Sequence, residues 1–131
     1  MSKQKKSLLF AFIVCSLILG LPYLWRKYRD NDIKENSKYT FGKVIKKTNS
    51  LKNGKRWHYD FYFENVLYNG RWPTHVDYDV KMGDYFIVNF SSKNPEHNKI
   101  LYDYKLKAYL PEVVNQAWDT IPLSIVESAR K

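Results

Sequence analysis

Cysteine and catalytic motifs are both scarce in this sequence. Of 131 residues one is a cysteine, Cys15, so the chain forms no intramolecular disulfide. No serine stands in a nucleophile-elbow pattern, no glycine-rich loop is present to cradle a phosphate, and Cys15 lies inside an apolar run. The sequence therefore predicts a protein that is not an enzyme and that uses no cofactor.

Acidic residues are missing from one long stretch, residues 37–59. Excluding Lys3, Lys5 and Lys6 from the 22 basic residues of the chain leaves 19, against 13 acidic residues, and much of this excess lies in that stretch. A lysine or arginine near an anionic membrane contributes about 1 kcal/mol to binding. We call its candidate contacts for an anionic surface the basic patch: Lys43, Lys46, Lys47, Lys52, Lys55 and Arg56. A solvated hairpin tip is the ordinary alternative.

Metal-ligating residues are dispersed. His75, Asp77 and Asp79 point to the same side if this segment is extended, as a metal site requires. No second cluster supplies further ligands, and His58 and His97 stand alone. We therefore expect no metal site, because polar alternation of this kind is typical of a solvent-facing strand.

Charged residues are also lacking from Ser7 to Trp25, a run of nineteen residues with basic flanks. As a helix it extends roughly 28 Å, close to the hydrocarbon thickness of a bilayer. Tyr23 and Trp25 suit the interfacial aromatic belt, and the end of the run lacks the small residues of a signal-peptide cleavage site. The run predicts a single-pass transmembrane helix over residues 7–25, after a basic tail of residues 1–6, with the lipid bilayer as a partner.

The orientation of this helix stays open. Basic residues after the run favour a cytoplasmic domain by the positive-inside rule, whereas the amino-terminal tail is itself basic. Residues 26–38 are polar and mixed in charge, which predicts a flexible linker.

The next segment, residues 39–105, is rich in strand signals. Asn53-Gly54 suits a type I′ hairpin turn, Glu64-Asn65 predicts the next turn, and Gly70 marks a bend or bulge. Five strands are predicted: Tyr39–Lys47, Trp57–Phe63, Val66–Trp72, Tyr85–Phe90 and Lys99–Tyr104.

The second predicted strand has the clearest alternation. Trp57, Tyr59 and Phe61 alternate with polar residues and with Tyr62, which predicts one aromatic face and one more polar face. Five short strands joined by hairpins favour a mainly β fold, either a strongly bent antiparallel sheet or a small five-stranded barrel of the SH3-like or OB-like kind. We expect the barrel.

Residues 106–131 are predicted to form a helical segment. Pro111-Glu112 is a good first helical turn, and Val113, Val114, Ala117 and Trp118 follow at helical spacing. This apolar stripe either covers an open end of the barrel or docks a partner protein. The candidate partner-binding residues are Tyr62, Trp72, Val113, Val114 and Trp118.

The segment from Trp57 onward resembles an uncharacterised bacterial family of membrane-anchored β-domains. The resemblance consists of an aromatic hairpin, then Gly-Asp, an alternating strand, Asn-Pro and a closing hydrophobic strand. The matching residues are Tyr59, Tyr62, Tyr68, Gly83, Asp84, Val88, Phe90, Asn94, Pro95 and Leu101. The chain departs from the family at residues 90–93, where an aspartate-proline step is expected, and in having one membrane helix. The resemblance implies a β-domain at a bacterial inner membrane and implies no activity.

Two functions fit these observations. The first is a membrane-anchored protein-interaction module, either an accessory subunit of an envelope complex or an immunity-type inhibitor. The second is a tethered binder of nucleic acid or another polyanion through the basic patch, since OB-like barrels stack bases beside charged grooves. A bilayer anchor is unusual for nucleic-acid proteins, so we expect a protein partner and no nucleic acid.

Overall fold

The structure is a computed structural model and describes residues 3–52, 54–109, 111 and 115–131, with Lys3 described by its backbone only. The chain divides between Asn31 and Asp32 into two units. The first is part of one long helix, and the second contains a β-sheet, so the fold is mixed with β dominant.

The helix, α1, runs from Lys3 to Glu35 and includes Pro22. Its apolar side chains up to Trp25 are mostly exposed, Leu19 by 80%. It is the one helix among the described residues that is long and apolar enough to cross a membrane, and a membrane anchor and a signal sequence both have these properties. Residues 26–35 are helical and not a flexible linker, because they contain strong helix formers and neither glycine nor proline.

The second unit is built on a six-stranded antiparallel sheet with the order β3-β2-β1-β4-β5-β6. Its strands are β1 (Ser37–Ser50), β2 (Gly54–Phe63), β3 (Val66–Pro73), β4 (Tyr85–Ser91), β5 (Asn98–Leu106) and β6 (Val126–Glu127).

The five predicted strands are confirmed within a few residues at each end. The turn at Glu64-Asn65 is confirmed too, and both residues have the positive φ angles of a type I′ turn, 51° and 64°. In the first hairpin Ser50 pairs with Gly54, so three residues and not two connect the strands. Gly54 has a φ of 71°, while Asn53 lies outside the described residues.

The predicted barrel is wrong, because the sheet is open and β3 and β6 are its edges. Instead of a backbone ladder, side chains of β5 bond to the backbone of β3. The Asn98 amide donates to the Asn69 carbonyl (3.5 Å), and the Tyr102 hydroxyl donates to the Pro73 carbonyl (2.9 Å). Pro73 has no amide hydrogen to contribute to such a ladder.

The sheet packs side chains on both faces. The aromatic face carries the larger core, which includes Trp57, Tyr59 and Phe61 as predicted, with Phe86 and Phe90 from β4. The second face carries a smaller core of Phe41, Ile87, Leu106 and Val126. Because both faces of β4 are covered, its side chains from Phe86 to Ser91 are all buried.

The predicted carboxyl-terminal helix is not found in its described part. Residues 115–131 contain a short 3-10 helix, Leu123–Ile125, and β6. Trp118 instead forms an isolated antiparallel bridge with Tyr39, by backbone hydrogen bonds of 2.7 and 2.8 Å. Asn115 adopts a left-handed φ of 72°, which a right-handed helix does not contain, and Pro122 follows. Val113 and Val114, like Leu110 and Glu112, lie outside the described residues.

Candidate functional site

The basic patch lies on the β1–β2 hairpin, and an irregularity in β1 decides where its side chains point. Val44 pairs with Tyr59, but the next paired residue is Lys46, opposite His58. The extra residue, Ile45, forms a β-bulge, and a bulge of this kind moves the following side chains to the other face. Lys46 therefore shares the second face with His58, and Lys47 shares the aromatic face with Trp57.

Three strands align cationic groups on this second face. Lys46 of β1 lies opposite His58 of β2, which lies opposite Arg71 of β3. In an antiparallel sheet, directly opposite residues have Cβ atoms about 4.5–5.5 Å apart on the same face. Arg56 is two residues from His58 along β2 and so faces the same way. We call these four residues, Lys46, Arg56, His58 and Arg71, the cationic row.

The pKa of the His58 imidazole depends on its surroundings in the cationic row. Burial lowers its pKa below the usual value, and the positive charges of Lys46, Arg71 and Arg56 lower it further. One ring nitrogen, Nε2, lies 2.8 Å from the Thr48 hydroxyl. Among the described residues, none of the three permanent cations forms a salt bridge, because no carboxylate oxygen lies within 4.0 Å of their nitrogens.

The rest of the basic patch is divided among other environments. The Lys47 ammonium lies 5.2 Å from the centre of the Trp57 ring and covers it. Lys52 and Lys55 are exposed near the hairpin tip. The patch that is continuous in sequence is therefore not one surface in the structure.

An aromatic cavity, which we call the tyrosine pocket, lies on the second face of the sheet, nearer the Phe63 end of β2. It has a volume of about 200 Å³. Tyr85 stacks on Tyr109 at 4.9 Å between ring centres and meets the edge of Phe41 at 5.9 Å. The side chains of Tyr62 and Leu67 are 45% and 51% exposed. The lining residues are Thr40, Phe41, Lys43, Asp60, Phe61, Tyr62, Leu67, Tyr85, Tyr109 and Asn115.

The predicted partner-binding residues do not form one surface. Tyr62 lines the tyrosine pocket. Trp72 packs against the core of the aromatic face, whereas Trp118 packs against the core of the second face. Two of the predicted contacts are thus half-buried packing residues, on opposite sides of the sheet.

The His75, Asp77 and Asp79 segment is not an extended strand. The Tyr78 amide donates to the His75 carbonyl at 3.3 Å, which makes this segment a turn. The His75 and Asp77 side chains lie 3.6 Å apart. No group of three potential ligands is found in the part of the chain that the structure describes.

No protein-family model, curated protein or solved structure matches this chain. The resemblance to membrane-anchored bacterial β-domains therefore stays a prediction. The cationic row and the tyrosine pocket are therefore identified from the structure of this chain alone.

The cationic row brings together His58, which stands alone in the sequence, and Arg71, which no sequence motif singles out, although the turn at Glu64-Asn65 contains the signal that pairs them. A two-residue turn fixes the register of the strands that it joins. Five steps outward from the Phe63–Val66 pair bring His58 opposite Arg71. The position of Lys46 beside them depends on the bulge at Ile45, which no sequence pattern announced.

Proposed function

We propose that this chain is a single-pass membrane protein whose β-domain is a non-enzymatic protein-interaction module, either an accessory subunit of an envelope complex or an immunity-type inhibitor. Support for the anchor comes from the long helix α1, whose apolar side chains are exposed. In water such a surface is unfavourable, and in a bilayer it is well solvated. The resemblance suggests a bacterial inner membrane.

The tyrosine pocket is the observation that carries the interaction function. It places exposed tyrosine and leucine side chains beside Lys43, Asp60 and Asn115, which supply polar groups at its margin. Protein interfaces favour this combination, because tyrosine buries a large area with little loss of conformational entropy and its hydroxyl tolerates a polar rim.

The nucleic-acid alternative has weaker support. Stacking of bases requires exposed aromatic faces beside the basic groups. On the basic hairpin, however, Trp57 is 9% exposed and covered by Lys47, and Tyr59 is fully buried. Between residues 44 and 60 of the hairpin, the aromatic side chains of Trp57 and Tyr59 therefore belong to the core.

Site-specific photo-crosslinking in native membranes tests the protein-interaction function. A photoreactive phenylalanine derivative replaces Leu67 in the tyrosine pocket, and a control carries it at Val76, an apolar residue that is 85% exposed in a different segment. We expect one discrete protein adduct from position 67 that is not formed from position 76. Identical adducts from both positions, or none from position 67, contradict the proposal, and a nuclease-sensitive adduct favours the alternative.

A further inference from the structure

The cationic row is electrostatically unbalanced. Directly opposed like charges destabilise a sheet, so cross-strand neighbours usually have opposite charges. Here Lys46, His58 and Arg71 are aligned across three strands, and Arg56 adjoins them. The one carboxylate that the register places on this face of β2 is Asp60, opposite Lys43 and Asn69, one row further along. A bound anion would remove this repulsion.

The donors of the row suit an anion with several oxygens. Lys46 and Arg71 are exposed at its two ends, where a ligand can reach them. The Nε–H of Arg56 is buried and has no acceptor among the described residues. Guanidinium groups bind phosphate oxygens in a fork, and an ammonium adds a point charge to such a site.

A ligand can reach the cationic row because the β1–β2 hairpin is longer than the β1–β4 ladder. The pairing between β1 and β4 ends at Lys43 and Tyr85, whereas β1 and β2 continue to the Ser50–Gly54 pair. The part of the hairpin that carries Lys46, Arg56 and His58 therefore extends past the end of the β1–β4 ladder. No described strand other than β3 flanks it.

We propose that the cationic row is a binding site for a phosphate group, with Arg71 and Lys46 as its exposed donors and Arg56 and His58 as its floor. This proposal goes beyond the protein-interaction function, because it uses different residues from the tyrosine pocket. The phosphate belongs either to a phospholipid headgroup or to a soluble phosphorylated molecule. The two sources have the same chemistry at the row, and the experiment separates them.

The first measurement is a titration of the full chain with pyrophosphate in nanodiscs of phosphatidylcholine. Binding is followed by calorimetry and by the ¹⁵N resonances of the His58 imidazole. The groups facing this ring are Lys46 and Thr48 of β1, Arg56 and Asp60 of β2, and Arg71 of β3. We expect saturable binding of one pyrophosphate, and a rise in the pKa of His58, because phosphate charge offsets the cations that lower it.

Substitutions that each remove one positive charge then distinguish a defined binding site from a non-specific attraction of the anion to the basic surface. Arg71→Gln and Lys46→Gln each remove one charge from the row, and Lys55→Gln removes one from the exposed hairpin nearby. Each row variant should weaken pyrophosphate binding about tenfold, which corresponds to about 1.4 kcal/mol, because it removes one charge-assisted hydrogen bond. The Lys55 variant should change it less than about twofold. If Arg71→Gln alters the circular dichroism spectrum, Lys46→Gln carries the comparison.

Nanodiscs that contain phosphatidic acid identify the source of the phosphate. If a lipid headgroup occupies the row, the His58 resonances shift without pyrophosphate, and Arg71→Gln removes the shift. If the shift still requires pyrophosphate, the ligand is soluble. The proposal is overturned if neither anion moves the His58 resonances, or if Lys55→Gln weakens binding as much as Arg71→Gln does.

Discussion

Gly70 is the residue on which the packing between β3 and β5 depends. The buried ring of Tyr59 lies against its backbone, and the Tyr59 hydroxyl donates to the Asn98 side-chain oxygen at 2.6 Å. A Cβ atom on Gly70 would lie 2.1 Å from that oxygen and 2.5 Å from the ring. The Asn98 amide in turn donates to the Pro95 carbonyl at 3.0 Å. The absence of a side chain at Gly70 thus permits a fully buried tyrosine to keep its hydrogen bond.

The variant Gly70→Ala should therefore lower the free energy of unfolding strongly. Overpacking typically costs about 1–3 kcal/mol, and we expect the upper end, because both clashing groups are buried and hydrogen-bonded. Urea denaturation of the full chain in detergent, followed by near-ultraviolet circular dichroism, measures the change.

The matched control is Gly20→Ala, since a Cβ atom there meets nothing within 4 Å. It should leave the stability of the β-domain unchanged. Equal stability of the Gly70 and Gly20 variants would show that the Tyr59 ring does not lie over Gly70. Of the bend or bulge predicted at Gly70, the bulge is wrong, because the β2–β3 register runs through this residue without a shift.

The buried carboxylate of Asp32, near the end of α1, forms hydrogen bonds with the loop between β4 and β5. Asp32, 8% exposed, accepts hydrogen bonds from His97 (2.6 Å), Asn94 (3.2 Å) and Asn36 (2.9 Å). Burial alone would raise the pKa of Asp32, but these hydrogen bonds and one from Ser91 outweigh it and lower the pKa from 3.8 to about 2. The fold therefore stabilises the ionised form.

The sign of this shift predicts an acid-sensitive contribution to stability. A carboxylate with a lowered folded-state pKa contributes fully above its unfolded pKa, and the contribution is lost as the pH falls from about 4 through about 2. Asp32→Asn should remove it, so the stability of this variant should fall less steeply over that interval. Urea titrations of both proteins at several pH values measure the slopes.

Glu35→Gln is the control for this titration, because Glu35 is an exposed carboxylate in the same last turn of α1 as Asp32. It should reproduce the wild-type slope. An Asp32→Asn slope equal to that of wild type would mean that the hydrogen bonds to Asp32 do not favour its ionised form.

At the scale of elements, the sequence predicts the strands but not the conformation of the segments before and after them. Alternation is a local property, so Trp57, Tyr59 and Phe61 identify both β2 and its buried face. The helical extension of α1 beyond residue 25 was missed because its composition is polar. Its buried apolar residue, Ile33, is 2% exposed and was the available signal. Trp118 fell at helical spacing, yet pairing with Tyr39 decides its conformation.

At the scale of the whole molecule, closure of the sheet was beyond the reach of the sequence. Five short strands fit a barrel and an open sheet equally well, and the choice depends on contacts distant along the chain. Asn98 and Tyr102 link β5 to β3 through side chains, and no periodicity encodes this. The two-residue strand β6 is too short to give a pattern.

The candidate site is likewise a property of the assembled domain. The sequence grouped basic residues by their proximity along the chain, whereas the structure groups Lys46 and Arg56 with His58 and Arg71 across three strands. Similarly, Tyr62 was predicted as a surface aromatic, but its neighbours Tyr85 and Tyr109 come from other parts of the chain.

The central claim is that α1 holds the β-domain at a membrane, and carbonate extraction with intact-mass analysis tests it most directly. We expect the chain to stay in the membrane pellet at alkaline pH with its amino-terminal residues uncleaved, because the exposed apolar surface of α1 has the length of a bilayer span. A soluble chain that begins after Trp25 would contradict the account, since α1 would then be a cleaved signal sequence.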